Sequence, residues 1–384
     1  MNHSTDRILT THCGSLARPK EVLDLMKAKL GGKPYDHQAY DAGVRGAVTD
    51  SIHKQVACGI DVVADGEMSK PGFFTYLQER LTGFEHRPGA GLNMFADERA
   101  AFPEYYEHYF GTAMLGGAIS APVNLTCVGP VTYRGQDALK VDIENLKAAL
   151  AGVKTTDVFM PSSAPSGAGI NEFYPSEEAY MHAVADAMRV EYKAIVDAGF
   201  LIQIDDPFLS DIFADSSLTA AQKNRRAEIY VEAINYGLKG IPAEKVRFHT
   251  CYGINHGPRV HDAALIDIAP AMLKINAQAF SFEAANVRHE HEYHVWESVK
   301  LPPGKIIIPG VITHASNIVE HPELIAEWLV RYAKIVAREN VIAGADCGFS
   351  SQATYNPEVH PKIVWAKFEA MAEGARIASR QLWN

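Results

Sequence analysis

Short apolar runs alternate with long amphipathic segments along most of this chain, and that alternation limits the fold more than any other feature. The runs are 8-ILTT-11, 61-DVVAD-65, 123-VNLTCV-128, 157-DVFMP-161, 201-LIQID-205, 246-VRFHT-250, 279-AFSFE-283, 305-KIIIPG-310 and 341-VIAGAD-346. They are rich in Val, Ile and Phe and do not alternate apolar with polar residues, which is the pattern of strands covered on both faces. Between them lie helical patterns. The segment 176-SEEAYMHAVADAMRVEYKAIVDAG-199 has Ser176 to cap its start and Gly199 to stop it. Others span roughly 219–238, 321–338 and 359–381. Repeated β-α units predict a parallel sheet. Nine candidates compete for the eight strands of a (β/α)8 TIM barrel, so one belongs outside it. An open doubly wound sheet is the alternative. That fold usually carries a glycine-rich phosphate loop after its first strand, and 11-THCGSLARP-19 matches neither such pattern.

At 384 residues and 47% hydrophobic content, the chain can bury a large core, and α/β barrels reach this length as one domain. A single domain over 1–384 is therefore expected, with an irregular insertion near 81–122. There GFEHRPGAGLNMF and FPEYYEHYFGTAMLGG break the β-α rhythm. A long insertion of this kind serves function or an oligomer contact.

The net charge of −10 and the lack of any Lys/Arg cluster argue against nucleic-acid binding. The N-terminal residues MNHSTDRILTTHCGS lack the charged head and apolar run of a signal peptide, and no apolar segment reaches the roughly 18–20 residues of a membrane span. A cytoplasmic protein with no membrane partner is expected. Five widely spaced cysteines, Cys13, Cys58, Cys127, Cys251 and Cys347, suggest reduced thiols rather than a disulfide framework. Cys58 and Cys127 sit in apolar surroundings and are expected to pack.

Reactive side chains recur at the C-terminal ends of the strand candidates: His12, Glu67, Asp205 and Asp206, His249 and Cys251, Glu283, His314 and Cys347. In a parallel barrel these ends share one rim, where such barrels place their active sites. His249 and Cys251 stand two apart on a strand and face the same way. With Glu283 and Cys347 they make a set of zinc ligand types. No single spacing among them is diagnostic, and H-x-C alone is equally served by a packed cysteine beside a capped histidine.

The pieces 11-THCGSLARP-19, 65-DGEMSKPGFF-74, 202-IQIDDP-207, 249-HTCYG-253, 280-FSFE-283, 309-PGVITH-314 and 345-ADCGF-349 run in order over nearly the whole chain. On these the chain resembles the cobalamin-independent methionine synthase family, specifically its C-terminal catalytic barrel. The stretch 279-AFSFEAANVRHEHEYHVW-296, the phrase 320-EHPEL-324 and the tail WAKFEAMAEGARIAS are similar to the single-barrel branch that contains epoxyalkane:coenzyme M transferase.

The resemblance implies a catalytic Zn2+ held by His249, Cys251, Glu283 and Cys347. Coordination to zinc deprotonates a thiol, whose free pKa is near 8.5. It further implies His314 as general acid, Glu67 and Asp205 around a substrate ammonium, and Ser15, with His12 at the same strand end, near its carboxylate. Arg288 and His289 are candidates for an anionic group on the thiol. The run 289-HEHEYH-294 is read as structural or substrate-lining in preference to a second metal site. Cys13 departs from the family, which often has an apolar residue there. The leading expectation is homocysteine attacking a methyl donor such as 5-methyltetrahydrofolate to give methionine. The rivals are alkylation of a coenzyme M-like thiol and a metal-free barrel resembling uroporphyrinogen decarboxylase.

Overall fold

A computed structural model describes the chain except residues 74, 88–94, 115–116, 120–124 and 254–255. Eight parallel strands form the barrel: β1 (Leu9–Thr10), β2 (Val62–Ala64), β3 (Asp157–Ser163), β4 (Leu201–Asp205), β5 (Val246–His249), β6 (Ala279–Phe282), β7 (Ile306–Ile312) and β8 (Ile342–Ala345). Neighbours pair in chain order from β2 to β8, and β8 pairs with β1. A parallel bridge between Thr11 and Val62 joins β1 to β2 and closes the ring. The result is the (β/α)8 TIM barrel that the alternation predicts.

The apolar runs are strands because both faces are covered: Ile306, Ile307 and Ile308 are all fully buried. The barrel axis also holds charge. Arg247 of β5 is 0% exposed, donates to the Thr11 hydroxyl and the His12 carbonyl at 2.9 Å each, and lies over the Phe159 ring. On β7 the register shifts between Gly310 and Ile312. A Cβ on Gly310 would stand 2.8 Å from the Asp346 backbone, so only glycine lets β7 close on the end of β8 there.

The four predicted helices form at Glu177–Asp197, Ala220–Gly237, Pro322–Val336 and Pro361–Leu382. Ser176 caps the first by accepting from the Ala179 N–H at 3.1 Å, and Thr219 with Gln222 makes a reciprocal capping box on the second. Among the described residues, no helix is long and apolar enough to cross a membrane.

The strand candidate left outside the barrel is 123–128. Its described part, Leu125–Cys127, pairs with Phe84–His86 and Ile170–Asn171 in a small separate sheet; residues 123–124 lie outside the described residues. The 81–122 insertion is less irregular than expected. Besides Phe84–His86 it contains helices Ala96–Ala101 and Pro103–Tyr109, while 88–94, 115–116 and 120–122 lie outside the described residues. Its aromatic residues explain the order: Tyr105, Tyr106, Tyr109 and Phe110 pack ring on ring. The Tyr105 hydroxyl donates to the His256 carbonyl at 2.8 Å, and the Tyr109 hydroxyl to Glu358 at 2.7 Å. The insertion is thereby tied to the segments carrying His256 and Glu358.

Candidate metal centre and thiol cavity

His249 ends β5, Cys251 follows two residues later, and Cys347 lies two residues past β8. Their candidate ligand atoms all lie within 4.8 Å of one another, and each residue is 5–6% exposed. The Nδ1 of His249 is 3.1 Å from the Ser281 hydroxyl, while its Nε2 has no partner. The thiols of Cys251 and Cys347 belong to the same 4.8 Å group. A buried ring nitrogen left unsatisfied beside two thiols is an unmet valence that a cation fits, and the Ser281 contact orients the ring as supporting groups do at metal sites. Burial, with Arg247 nearby, pushes His249 down to about 3, which keeps the imidazole in its neutral, ligating form.

Glu283 stands apart from these three. Its carboxylate accepts from the Tyr252 N–H at 3.0 Å and from Asn286 Nδ2 at 2.9 Å, and pairs with Arg259 at 2.8 Å. It is grouped instead with His314 and Asp346. Asp346 organises this corner by accepting from the Ala284 and Ala285 N–H groups at 2.7 Å each and from Asn286 N–H at 2.9 Å. Arg259 also pairs with Asp262 at 2.8 Å. The fourth expected ligand is therefore at the edge of the metal group and held by a guanidinium. His314 is buried beside it, with both ring nitrogens unpartnered among the described residues. Burial and Arg259 push it down to about 3.

A cavity of about 80 Å³ opens onto these three candidate ligands. Cys13, Ser15, Glu67 and Asp205 also line it. Gly14, at φ +120°, turns the chain between Cys13 and Ser15; a Cβ there would strike the Pro161 ring at 2.6 Å. Burial, then the charge of Glu67, pushes the Asp205 carboxyl well above the usual range, so an arriving ammonium would relieve both. Lys70, buried and 3.6 Å from Glu67, is the nearby cation, and it also donates to the Pro161 carbonyl at 2.6 Å. Sequence reading missed Lys70, Arg259 and Asp346. Only Asp346, next to a candidate ligand at a strand end, carried a signal.

Three expected substrate residues lie elsewhere. His12 is 1% exposed, bonded to Gln55 at 2.8 Å and to the Gly14 N–H at 3.1 Å, and packed between Phe159 and Phe368. It faces outward from the barrel wall into the helical layer, not into the cavity. Arg288 is exposed and donates to the Arg259 carbonyl at 3.0 Å, because the turn after β6 carries it away from the rim. His289 is buried between Glu292 at 2.7 Å and Asp262 at 3.1 Å, flat against Tyr252. His291 and His294 are exposed, so the histidine-rich run does not converge.

Burial alone would lower the His289 pKa, but the bonds to Asp262 and Glu292 win and push it up to about 9. A raised folded pKa contributes stability in full below the unfolded value near 6.5 and loses it as pH climbs through 9. Wild type is expected to lose about 3 kcal/mol more than His289→Gln between pH 6 and pH 10. Urea midpoints at the two pH values measure this, and parallel curves would remove the charged His289.

Comparison with known proteins places these features in context. Residues 168–366 match the family model described as the catalytic domain of cobalamin-independent synthase. The chain is 25% identical over 386 aligned residues to a methionine synthase of Sulfurisphaera tokodaii, covering 98% of this chain and 94% of that protein. It is 23% identical to one of Sulfolobus acidocaldarius, covering 97% and 93%. A solved B12-independent methionine synthase from Shewanella sp. W3-18-1, in complex with selenomethionine, superposes with a TM-score of 0.71 at 19% identity, covering 98% of this chain and 99% of that one. That likeness concerns the fold.

Proposed function

The chain belongs to the cobalamin-independent synthase catalytic-domain family, and from that premise we propose that this methyltransferase methylates the sulfur of homocysteine with the help of zinc. His249, Cys251 and Cys347 would hold the metal, with Glu283 as an exchangeable fourth donor. The observation that carries the reading is His249, its Nε2 unpartnered among the described residues, grouped with the Cys251 and Cys347 thiols at a cavity that also bears Glu67 and Asp205. Zinc, when bound, supplies acidification of a substrate thiol at neutral pH.

The protein's own residues do the rest. Glu67 and Asp205 take the substrate ammonium, and Ser15 meets its carboxylate. The aromatic walls Phe73, Phe95 and Phe208 shed water from the reacting sulfur. His314, beside Glu283 and Asp346, would hand a proton to a leaving group basic enough to need one; burial and Arg259 keep its ring neutral until that charge develops. The resemblance would supply a methylated reduced folate as donor. A sulfonate-bearing thiol of the coenzyme M kind fits less well, since no lysine or arginine is among the described residues lining the thiol cavity.

Titrating zinc-loaded protein with homocysteine, coenzyme M and glutathione, while following proton release, tests the reading. Homocysteine is expected to release about one proton per site at neutral pH. Asp205→Asn and Glu67→Gln should each weaken homocysteine by about 10- to 100-fold, the worth of a charged hydrogen bond, and leave a thiol without an ammonium unchanged. Absence of proton release with every thiol would sink the mechanism.

A further inference from the structure

Beside the thiol cavity lies a much wider cleft of about 830 Å³, within the roughly 300–1,000 Å³ of small-molecule sites. Phe95, Phe208 and Asp211 line both spaces, so the two meet at these residues. A donor reaching a sulfur in the small cavity has this cleft as a neighbouring chamber.

Its charge is one-sided. Asp97, Glu98, Glu177, Asp211, Asp215 and Asp262 line it, against a single guanidinium among the described residues, Arg226. Arg226 is already committed to Glu177 at 2.8 Å, and His261 to Glu98 at 3.1 Å. Asp262 is neutralised from behind by Arg259 and His289. Asp211, at the junction with the thiol cavity, has no cation beside it among the described residues; its charged neighbours are Asp206 and Asp262. Its side chain is exposed, so an incoming cation can reach it. Tyr230 and Tyr252 line the same cleft, each only 6% exposed. Neither hydroxyl has a hydrogen-bond partner among the described residues, so two phenol oxygens are unclaimed at the cleft wall.

An anionic carrier such as a reduced folate with glutamyl carboxylates would meet a lining with more carboxylates than cations. A small organic cation meets the Asp211 carboxylate and the rings of Phe95 and Phe208, while the Tyr230 and Tyr252 faces already carry Arg226 and Arg259; its polarised methyl C–H groups find the tyrosine oxygens. We propose that this cleft binds an onium methyl donor, a sulfonium or quaternary ammonium compound, with Asp211 as its counterion at the mouth of the thiol cavity. This rests on the thiol-methylation reading above. In the transfer the thiolate lone pair forms the new S–CH3 bond. The C–S⁺ or C–N⁺ bond breaks, and its electron pair stays on the departing heteroatom. An anion and a cation become two neutral thioethers, or a thioether and a tertiary amine. The acceptor's proton has already gone to solvent, and the leaving group needs none.

The test uses the full chain loaded with zinc. Calorimetric titration with choline and with its neutral carbon isostere, 3,3-dimethylbutan-1-ol, reads the cation site without turnover. Choline is expected to bind at least about tenfold tighter than the isostere, and Asp211→Asn to remove about that factor. Asp97→Asn, on the same cleft, serves as a second variant and should also weaken choline. Trimethylsulfonium with homocysteine should give methionine and dimethyl sulfide. If choline and its isostere bind alike while homocysteine still releases its proton, the onium site is overturned and the thiol reading stands. If choline is selected but no thiol releases a proton, the thiol reading falls and the cation site remains. Turnover with 5-methyltetrahydrofolate but not with any onium donor would also overturn the proposal.

Discussion

Cys347→Ser is expected to strip the metal and end catalysis while the barrel stays folded. Serine keeps nearly the volume of cysteine at this buried position, so packing is preserved, but its hydroxyl does not become an anion beside zinc as a thiol does. Losing a supporting hydrogen bond at a metal site costs about 10- to 100-fold in affinity or activity, and losing a ligand should exceed that. Zinc content is expected to drop from about one equivalent to under about a tenth, with activity down by more than about a thousandfold, or roughly 4 kcal/mol of transition-state stabilisation. Elemental analysis with circular dichroism reads both. Cys13→Ala is the contrast. Its thiol lies 3.7 Å from His249 Nδ1, yet it donates to the Ala345 carbonyl at 3.0 Å and borders the metal group without joining it. That variant should keep its zinc. Stoichiometric zinc in Cys347→Ser, or its loss in Cys13→Ala, would redraw the ligand set.

Arg259→Met is the second large effect, and it falls on stability. Arg259 is buried between the carboxylates of Glu283 and Asp262, which hold its guanidinium firmly charged despite burial. Methionine fills the space but leaves Glu283 with an uncompensated buried charge. Removing one partner of such a pair costs about 3–5 kcal/mol. Part of the loss should return in Arg259→Met/Glu283→Gln, where the stranded charge is gone, and a double-mutant cycle isolates the coupling. Additive effects of the two changes would show that the pair is not coupled as its 2.8 Å contact implies.

The misreading of His12 shows where linear reasoning stopped. Its position just past β1 placed it at the rim that also bears Cys13 and Ser15. Strand parity decides which face a side chain takes, and a shift of one residue reverses it. Cys13 and Ser15 point into the cavity, whereas His12 points to Gln55 and Phe368. The first strand is two residues long, too short for its pattern to reveal its parity. The histidine-rich run misled in another way. Composition suggested convergence, but a short turn of helix over Glu290–His294 scatters the rings.

From sequence came the barrel and the capped helices, by local rules: apolar runs covered on both faces and parallel strands whose ends share one rim. The grouping of His249, Cys251 and Cys347, expected there together with Glu283, came from the family resemblance. Tertiary structure decided that Glu283 rests on Arg259, that Asp346 holds the turn after β6, and that six carboxylates line the cleft next to the thiol cavity. Such pairings join residues from separate loops. Their energies depend on burial and on the angle at which loops return to the rim, and neither quantity is written in the order of residues along a chain.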